Sequence, residues 1–175
     1  NCEDLIAYCA RVSNPSNQNN TATAPKLLKY LIKHRHWSPF EMASMTLEIK
    51  TSRAIAAQVL RHRSFSFQEF SQRYSVAQEL EPVELRQQAV KNRQSSTSEF
   101  TNSTFLAKTR EHLAKSVALY NEAIKLGVAK ESARLLLPLT TETTMYMAGT
   151  IRSWVHYIDL RSQEDTQKEH RDIAV

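Results

Sequence analysis

Glycine is almost missing from this chain. Among 175 residues only Gly127 and Gly149 occur, far apart. A dinucleotide-binding fingerprint needs three closely spaced glycines and a P-loop needs two, so neither backbone phosphate cradle can be built. If a nucleotide binds, side chains must hold its phosphates. Cysteine is nearly as rare. Cys2 and Cys9 make neither a disulfide framework nor a four-ligand metal site. No apolar run approaches the roughly 18 residues of a membrane span, and no charged-then-apolar leader opens the chain. A cytoplasmic protein without a metal is the expectation. The chain starts at Asn1 and stops at Val175, soon after a helical pattern opens near Thr166, so further segments are expected at both ends.

What is present is positive charge. The formal net charge is +5 and the isoelectric point about 9.3, which favours anionic partners without choosing among nucleic acid, nucleotides and phosphorylated metabolites. The charge is concentrated in Arg61 to Ser75, "RHRSFSFQEFSQRYS", with three arginines, one histidine and one glutamate. The planar guanidinium pairs bidentately with phosphate and is the side chain suited to a chain without glycine loops.

The periodicity predicts one domain over 1–175, mostly helical with a small sheet, in the α+β class. Helices are expected over Asp4–Arg11, from Pro25 to the break at Ser38-Pro39, from a Thr51 or Ser52 cap through His62, over Phe105–Leu126 before Gly127, over Ala133–Leu137 and over Thr150–Arg161. Met45, Leu47 and Ile49 alternate with polar residues as in a strand, and Ser64 to Phe67 is expected to be extended. Residues 79–104, rich in Gln, Ser and Thr, are expected to form a polar connection or insertion with some helix.

On residue chemistry alone, Arg61, His62 and Arg63 could form a phosphate clamp, a nucleic-acid patch or a solvated helix end facing the dipole. Arg73 beside Glu69 favours a partly neutralised anion site. Ser71 lacks the elbow of a nucleophilic serine. His34 and His36 are two apart and fall on different helix faces, which argues against a metal pair. Arg134 in "ARLLLP" sits in an apolar run, where a lone charge is costly, so it needs either a partner anion or an internal ion pair. Arg152 and Arg161 read as ordinary surface residues, and both cysteines read as packing residues.

The same stretch resembles the signature of the flavin-dependent thymidylate synthases, Arg-His-Arg-x-x-Ser-x-Asn/Gln-Glu-x-Ser-x-Arg-Tyr. It is matched by Arg61, His62, Arg63, Ser66, Gln68, Glu69, Ser71, Arg73 and Tyr74. The resemblance extends to "ARVS" at 10–13, "KHRHWSPFE" at 33–41, "ARLLLP" at 133–138, "IRSWVHYIDLR" at 151–161, and Gln167 with Glu169. It implies that family's α+β fold and a homotetramer whose subunits share active sites. The implied reaction is reductive methylation of dUMP to dTMP. FAD, NADPH and methylenetetrahydrofolate take part, tetrahydrofolate is released, and no cysteine attacks the pyrimidine.

By the same resemblance, dUMP would be held by Gln58, Arg61, Glu69, Ser71, Gln72, Arg73, Arg134 and Arg161. FAD would be held by His36, Ser38, Arg61, His62, Arg63, Glu69, Thr150, Arg152 and His156. Arg161 would be the catalytic group, favouring ionisation of uracil N3. Other members often carry Asn where Thr150 and His156 stand. The rival reading is a nucleic-acid-binding module built on the arginine-rich stretch, which would bind with steep salt dependence. The synthase reading instead expects dUMP and folate as partners, with no nucleic acid and no membrane.

Overall fold

A computed structural model describes residues 1–76 and 79–175. Helix α1 (Cys2–Ala10) starts at Asn1, whose side chain accepts from the Asp4 amide, and packs on α2 (Ala24–Lys33), which carries Pro25 in its first turn. α2 ends in a Schellman motif: the His36 amide donates to Leu31 at 2.8 Å and the Arg35 amide to Ile32 at 3.0 Å. Arg35 takes the left-handed position (φ 58°) usually given to glycine. Gly127 does the same (φ 85°) after helix α4 (Ser103–Lys125), with Val128 donating to Ala123. Ser38-Pro39 therefore does not end α2; it opens a separate 3-10 turn, Ser38–Glu41.

Strand β1 (Ser44–Ser52) runs directly into α3 (Arg53–Val59), which Ser52 caps by accepting from the Ile55 amide. The helix stops at Val59 rather than His62, and Arg61 to Arg63 lie in the turn that leads to β2 (Ser66–Glu69). Residues 79–104 contain no helix before Ser103; they carry a hairpin of β3 (Arg86–Gln88) and β4 (Ser96–Glu99), and Leu80 bridges to Thr141. Next come α4 (Ser103–Lys125), α5 (Lys130–Ala133) with a 3-10 turn over Arg134–Leu136, β5 (Glu142–Thr150), α6 (Ile151–Arg161) and α7 (Lys168–Ala174).

β5 was not expected, yet it is the middle of the main sheet, antiparallel to β1 on one side and β2 on the other. Thr143, Met145 and Met147 are buried along one of its faces. The two methionines meet Ile49, Ile55, Val59, Phe65, Trp154 and Tyr157 in the principal core, where each fully buried large apolar side chain contributes about 1.5–3 kcal/mol. The sequence periodicity puts Ile151, Trp154, Val155 and Ile158 on the core stripe of α6, but the stripe is shifted: Trp154 and Tyr157 are buried, and Ile158 is exposed. Cys2 is also exposed rather than packed.

Gly149 is needed for space, not for conformation. A Cβ there would lie 2.5 Å from Cδ1 of Phe65, a buried ring held against Trp154 at a centroid distance of 4.8 Å. Gly149→Ala is expected to cost about 1–3 kcal/mol by overpacking, read as a lower urea midpoint. Adding Phe65→Leu should recover much of the loss; an undisturbed midpoint in the single variant would show that the ring yields freely.

Candidate active site

The Arg61–Tyr74 signature enters and leaves the sheet through β2. Pairing with β5 fixes its register, Glu69 opposite Met145, and so fixes which face each side chain takes. Glu69 points to an ion pair that the local sequence does not announce. Its Oε1 accepts from Arg53 Nη1 at 2.6 Å and from the Thr143 hydroxyl at 3.0 Å. Arg53 is the first residue of α3, so the partner of Glu69 is none of the three signature arginines.

Arg61 and Arg63 are exposed and have no carboxylate within ion-pair distance among the described residues. His62 turns inward. Its Nε2 accepts from Arg161 Nε at 3.0 Å, and its ring meets Tyr157 edge-on at 4.9 Å. Burial, reinforced by the charges of Arg161 and Arg61, holds the His62 pKa below its ordinary value. A neutral His62 is therefore an acceptor that locks one edge of Arg161. Burial also pushes the Tyr157 phenol up to about 12, against the opposing pull of Arg161.

Gln58 shares this corner. Its carboxamide donates to Gln167 at 2.7 Å and lies 3.3 Å from Nδ1 of His170, a fully buried histidine on α7. Burial, then the charges of Arg161 and His62, depress the His170 pKa to about 4. The unfolded value is about 6.5, so between these limits the unfolded chain binds the extra proton. The stabilising contribution is present above pH ~6.5 and is lost as pH falls toward 4. At pH 5 this loss is at most about 2 kcal/mol. Urea unfolding at pH 7 and pH 5 should show it, and His170→Leu should flatten the difference; an equal slope in the variant would assign the pH sensitivity elsewhere.

The remaining expected residues fall into two further groups. Ser71, Arg73 and Tyr74 line an open groove of about 510 Å³ with Lys130 and Glu131. Arg73 pairs with the Glu131 carboxylate at 3.2 Å, and Arg134 Nε donates to the Glu131 carbonyl at 3.2 Å. Gln72, next to them in sequence, is buried with its Nε2 unpartnered among the described residues. A second groove, of about 400 Å³, runs along Gln68, Glu69, Ser71 and Tyr146.

The other group lies at the start of α6. Thr150 caps that helix by accepting from the Ser153 amide. Arg152 donates to Glu41 at 2.6 Å, which holds the Glu41 carboxyl below its ordinary value. His156 meets Trp37 edge-on at a centroid distance of 4.6 Å. Ser38 is exposed in the same 3-10 turn as Glu41, and His36 sits just before it, in an aromatic cluster with Tyr30 and His34. Among the described residues, no hydrogen bond or ion pair joins the Arg73–Arg134 group to the His62–Arg161 group.

Sequence reasoning missed Arg53, Glu41, Glu131, Tyr157 and His170. Only Tyr157 left a local signal, by falling three residues after Trp154 on the buried face of α6.

Among the described residues no cluster could hold a metal ion, and no helix is long and apolar enough to cross a membrane. The family described as "Thymidylate synthase complementing protein" matches residues 1–175. A probable flavin-dependent thymidylate synthase of Paramecium bursaria Chlorella virus 1 is 60% identical over 176 residues, covering 98% of this chain and 82% of its own. The flavin-dependent thymidylate synthase of a Synechocystis strain is 56% identical, covering 99% and 81%. Among solved structures, a UMP/dUMP methylase from Streptomyces cacaoi bound with 5-Br dUMP superposes with a TM-score of 0.83 at 26% identity, over 98% of this chain and 82% of its own. Match length, identity and fold agree with the signature: this chain belongs to the flavin-dependent thymidylate synthase family.

Proposed function

We propose that this protein converts dUMP to dTMP by reductive methylation, with FAD as its cofactor, methylenetetrahydrofolate as one-carbon donor and NADPH as the source of electrons. The observation that carries this reading is the complete signature on β2 and its flanking turns, in a chain 60% identical to a relative named for that activity. The donor set fits FAD. Arg61 and Arg63 offer exposed guanidiniums with no competing carboxylate nearby, which suits a pyrophosphate that no glycine loop can cradle. His36, Ser38, Thr150, Arg152 and His156 would supply further contacts.

When bound, the flavin supplies the electrons that turn the one-carbon unit into a methyl group. The protein's task is to hold dUMP and raise the nucleophilicity of uracil C5. Arg73 and Arg134 would take the phosphate, with the Ser71 hydroxyl and Gln72 as positioning donors. Arg161, with Nε engaged by His62, keeps its terminal nitrogens for the pyrimidine. A guanidinium beside N3 stabilises the imide anion, and that anion pushes electron density toward C5. Glu69 keeps a fixed orientation through Arg53 and Thr143, next to Gln68 and Ser71 in the second groove.

The absence, among the described residues, of any hydrogen bond or ion pair joining the Arg73–Arg134 group to the His62–Arg161 group supports active sites completed by a neighbouring copy, as in a homotetramer. The test is spectroscopic and catalytic. Purified protein should carry or take up FAD, dUMP should perturb the flavin absorption band, and NADPH with methylenetetrahydrofolate should then yield dTMP and tetrahydrofolate. Protein that stays colourless as an intact oligomer, with added FAD, would overturn the reading.

A further inference from the structure

Arg86, on the polar hairpin, sits at the head of a chain of hydrogen bonds that ends at Gln58. Its guanidinium holds Glu169 of α7 through two bonds at 2.7 and 2.8 Å, and its Nε donates to Ser96 of β4 at 3.1 Å. Only 12% of the Arg86 side chain is exposed. Glu84 stands 3.3 Å away. Glu169 then accepts from Gln167 Nε2 at 3.0 Å, Gln167 Oε1 accepts from Gln58 Nε2 at 2.7 Å, and Gln58 Oε1 faces His170 Nδ1 at 3.3 Å.

Every bond in this chain has its direction set from the Arg86 end. Arginine only donates, and an ionised carboxylate only accepts. Glu169 must therefore meet the NH2 of Gln167, which leaves the Gln167 carbonyl for Gln58. Gln58 must present its NH2 there and its carbonyl to His170. His170 must carry its proton on Nδ1, which leaves Nε2 bare. Nε2 has no partner among the described residues, and a buried bare acceptor costs less than a buried orphan N–H. Burial raises the Glu169 pKa, but the hydrogen bonds from Arg86, the backbone and Gln167, with the Arg86 charge, together hold it below its ordinary value, so the carboxylate stays ionised at the head of the chain.

We infer that the Arg86–Glu169–Gln167 relay is a positioning device that fixes the polarity of the Gln58 carboxamide, so that Gln58 presents its second N–H as a donor to an acceptor atom of dUMP. The inference rests on Gln58 lining the dUMP site. It also gives the polar insertion a purpose: the hairpin carries Arg86 to α7.

The test uses the FAD-loaded full chain, with dUMP affinity from titration and the His170 tautomer from imidazole 15N shifts. Glu169→Gln replaces an obligate acceptor with a group that can face either way. It should weaken dUMP binding about tenfold, leave FAD retention unchanged and turn the Nδ1–H tautomer of His170 into a mixture. Gln167→Leu cuts the relay at an exposed side chain that makes no cap bond, and it should weaken dUMP equally even if Glu169→Gln folds poorly. Arg86→Lys, which keeps the charge, should retain most of the affinity, whereas Arg86→Met should not. If Gln58→Leu weakens dUMP while Gln167→Leu does not, or if His170 carries its proton on Nε2, the relay is wrong. If Gln58→Leu itself leaves dUMP affinity intact, the placement of Gln58 at the nucleotide is wrong, and the inference falls with it.

Discussion

Arg161→Ala should lower turnover by about two to three orders of magnitude while FAD and dUMP still bind. The guanidinium is not a general surface cation. His62, kept neutral by burial and by neighbouring positive charge, accepts from its Nε, and the His62 ring is itself wedged against Tyr157. The terminal nitrogens are thereby aimed before any ligand arrives, which is the arrangement that makes a charge effective in a transition state. Lysine should not rescue it: one ammonium cannot both engage His62 and lie along an imide edge. Two readouts separate chemistry from packing. The single-turnover rate of flavin oxidation should fall, and should partly recover at alkaline pH, where N3 ionises unaided. The His62 and His170 pKa values should both rise, because Arg161 depresses each of them. Normal turnover in Arg161→Ala would remove the residue from the mechanism.

How much of this was legible in the sequence depends on whether the cause was local. The helices that carry the site were readable because their causes are caps and periodicity: Ser52 before α3, Thr150 before α6, Gly127 after α4. The signature residues were readable because residue type and spacing recur together. β5 was partly legible. Thr143, Met145 and Met147 alternate with Thr144, Tyr146 and Ala148, and threonine and tyrosine favour strands, but the two methionines and Ala148 carry no branched or aromatic signal. The β3–β4 hairpin was not legible at all. Its strands, RQQ and STSE, carry no apolar alternation, and Arg86 is anchored by Glu169, far away in sequence. The Arg53–Glu69 pair escaped for the same reason. Arg53, at the start of α3 just after β1, reaches Glu69 on β2 because both strands pair with β5, and that strand had not been recognised.

Arg73→Ala should weaken dUMP by about 30- to 100-fold, the equivalent of losing charge-assisted bonds to a phosphate of about 2–3 kcal/mol, while leaving the fold intact. The structural cost is small because the pair it breaks is exposed. Arg73 and Glu131 keep 65% and 59% of their side-chain surface in water, and such pairs contribute roughly 0–1 kcal/mol. Arg73 also carries no core packing, so the urea midpoint should barely move. The geometry adds a sign test. Glu131 occupies the fork that the phosphate would take, so ligand binding must displace it; Glu131→Gln should leave dUMP affinity equal or higher, and never lower. Isothermal titration with dUMP on FAD-loaded protein checks both variants together. Unchanged affinity in Arg73→Ala would place the phosphate elsewhere. A loss in Glu131→Gln as deep as that in Arg73→Ala would mean that the ion pair, and not the free arginine, is what the nucleotide recognises.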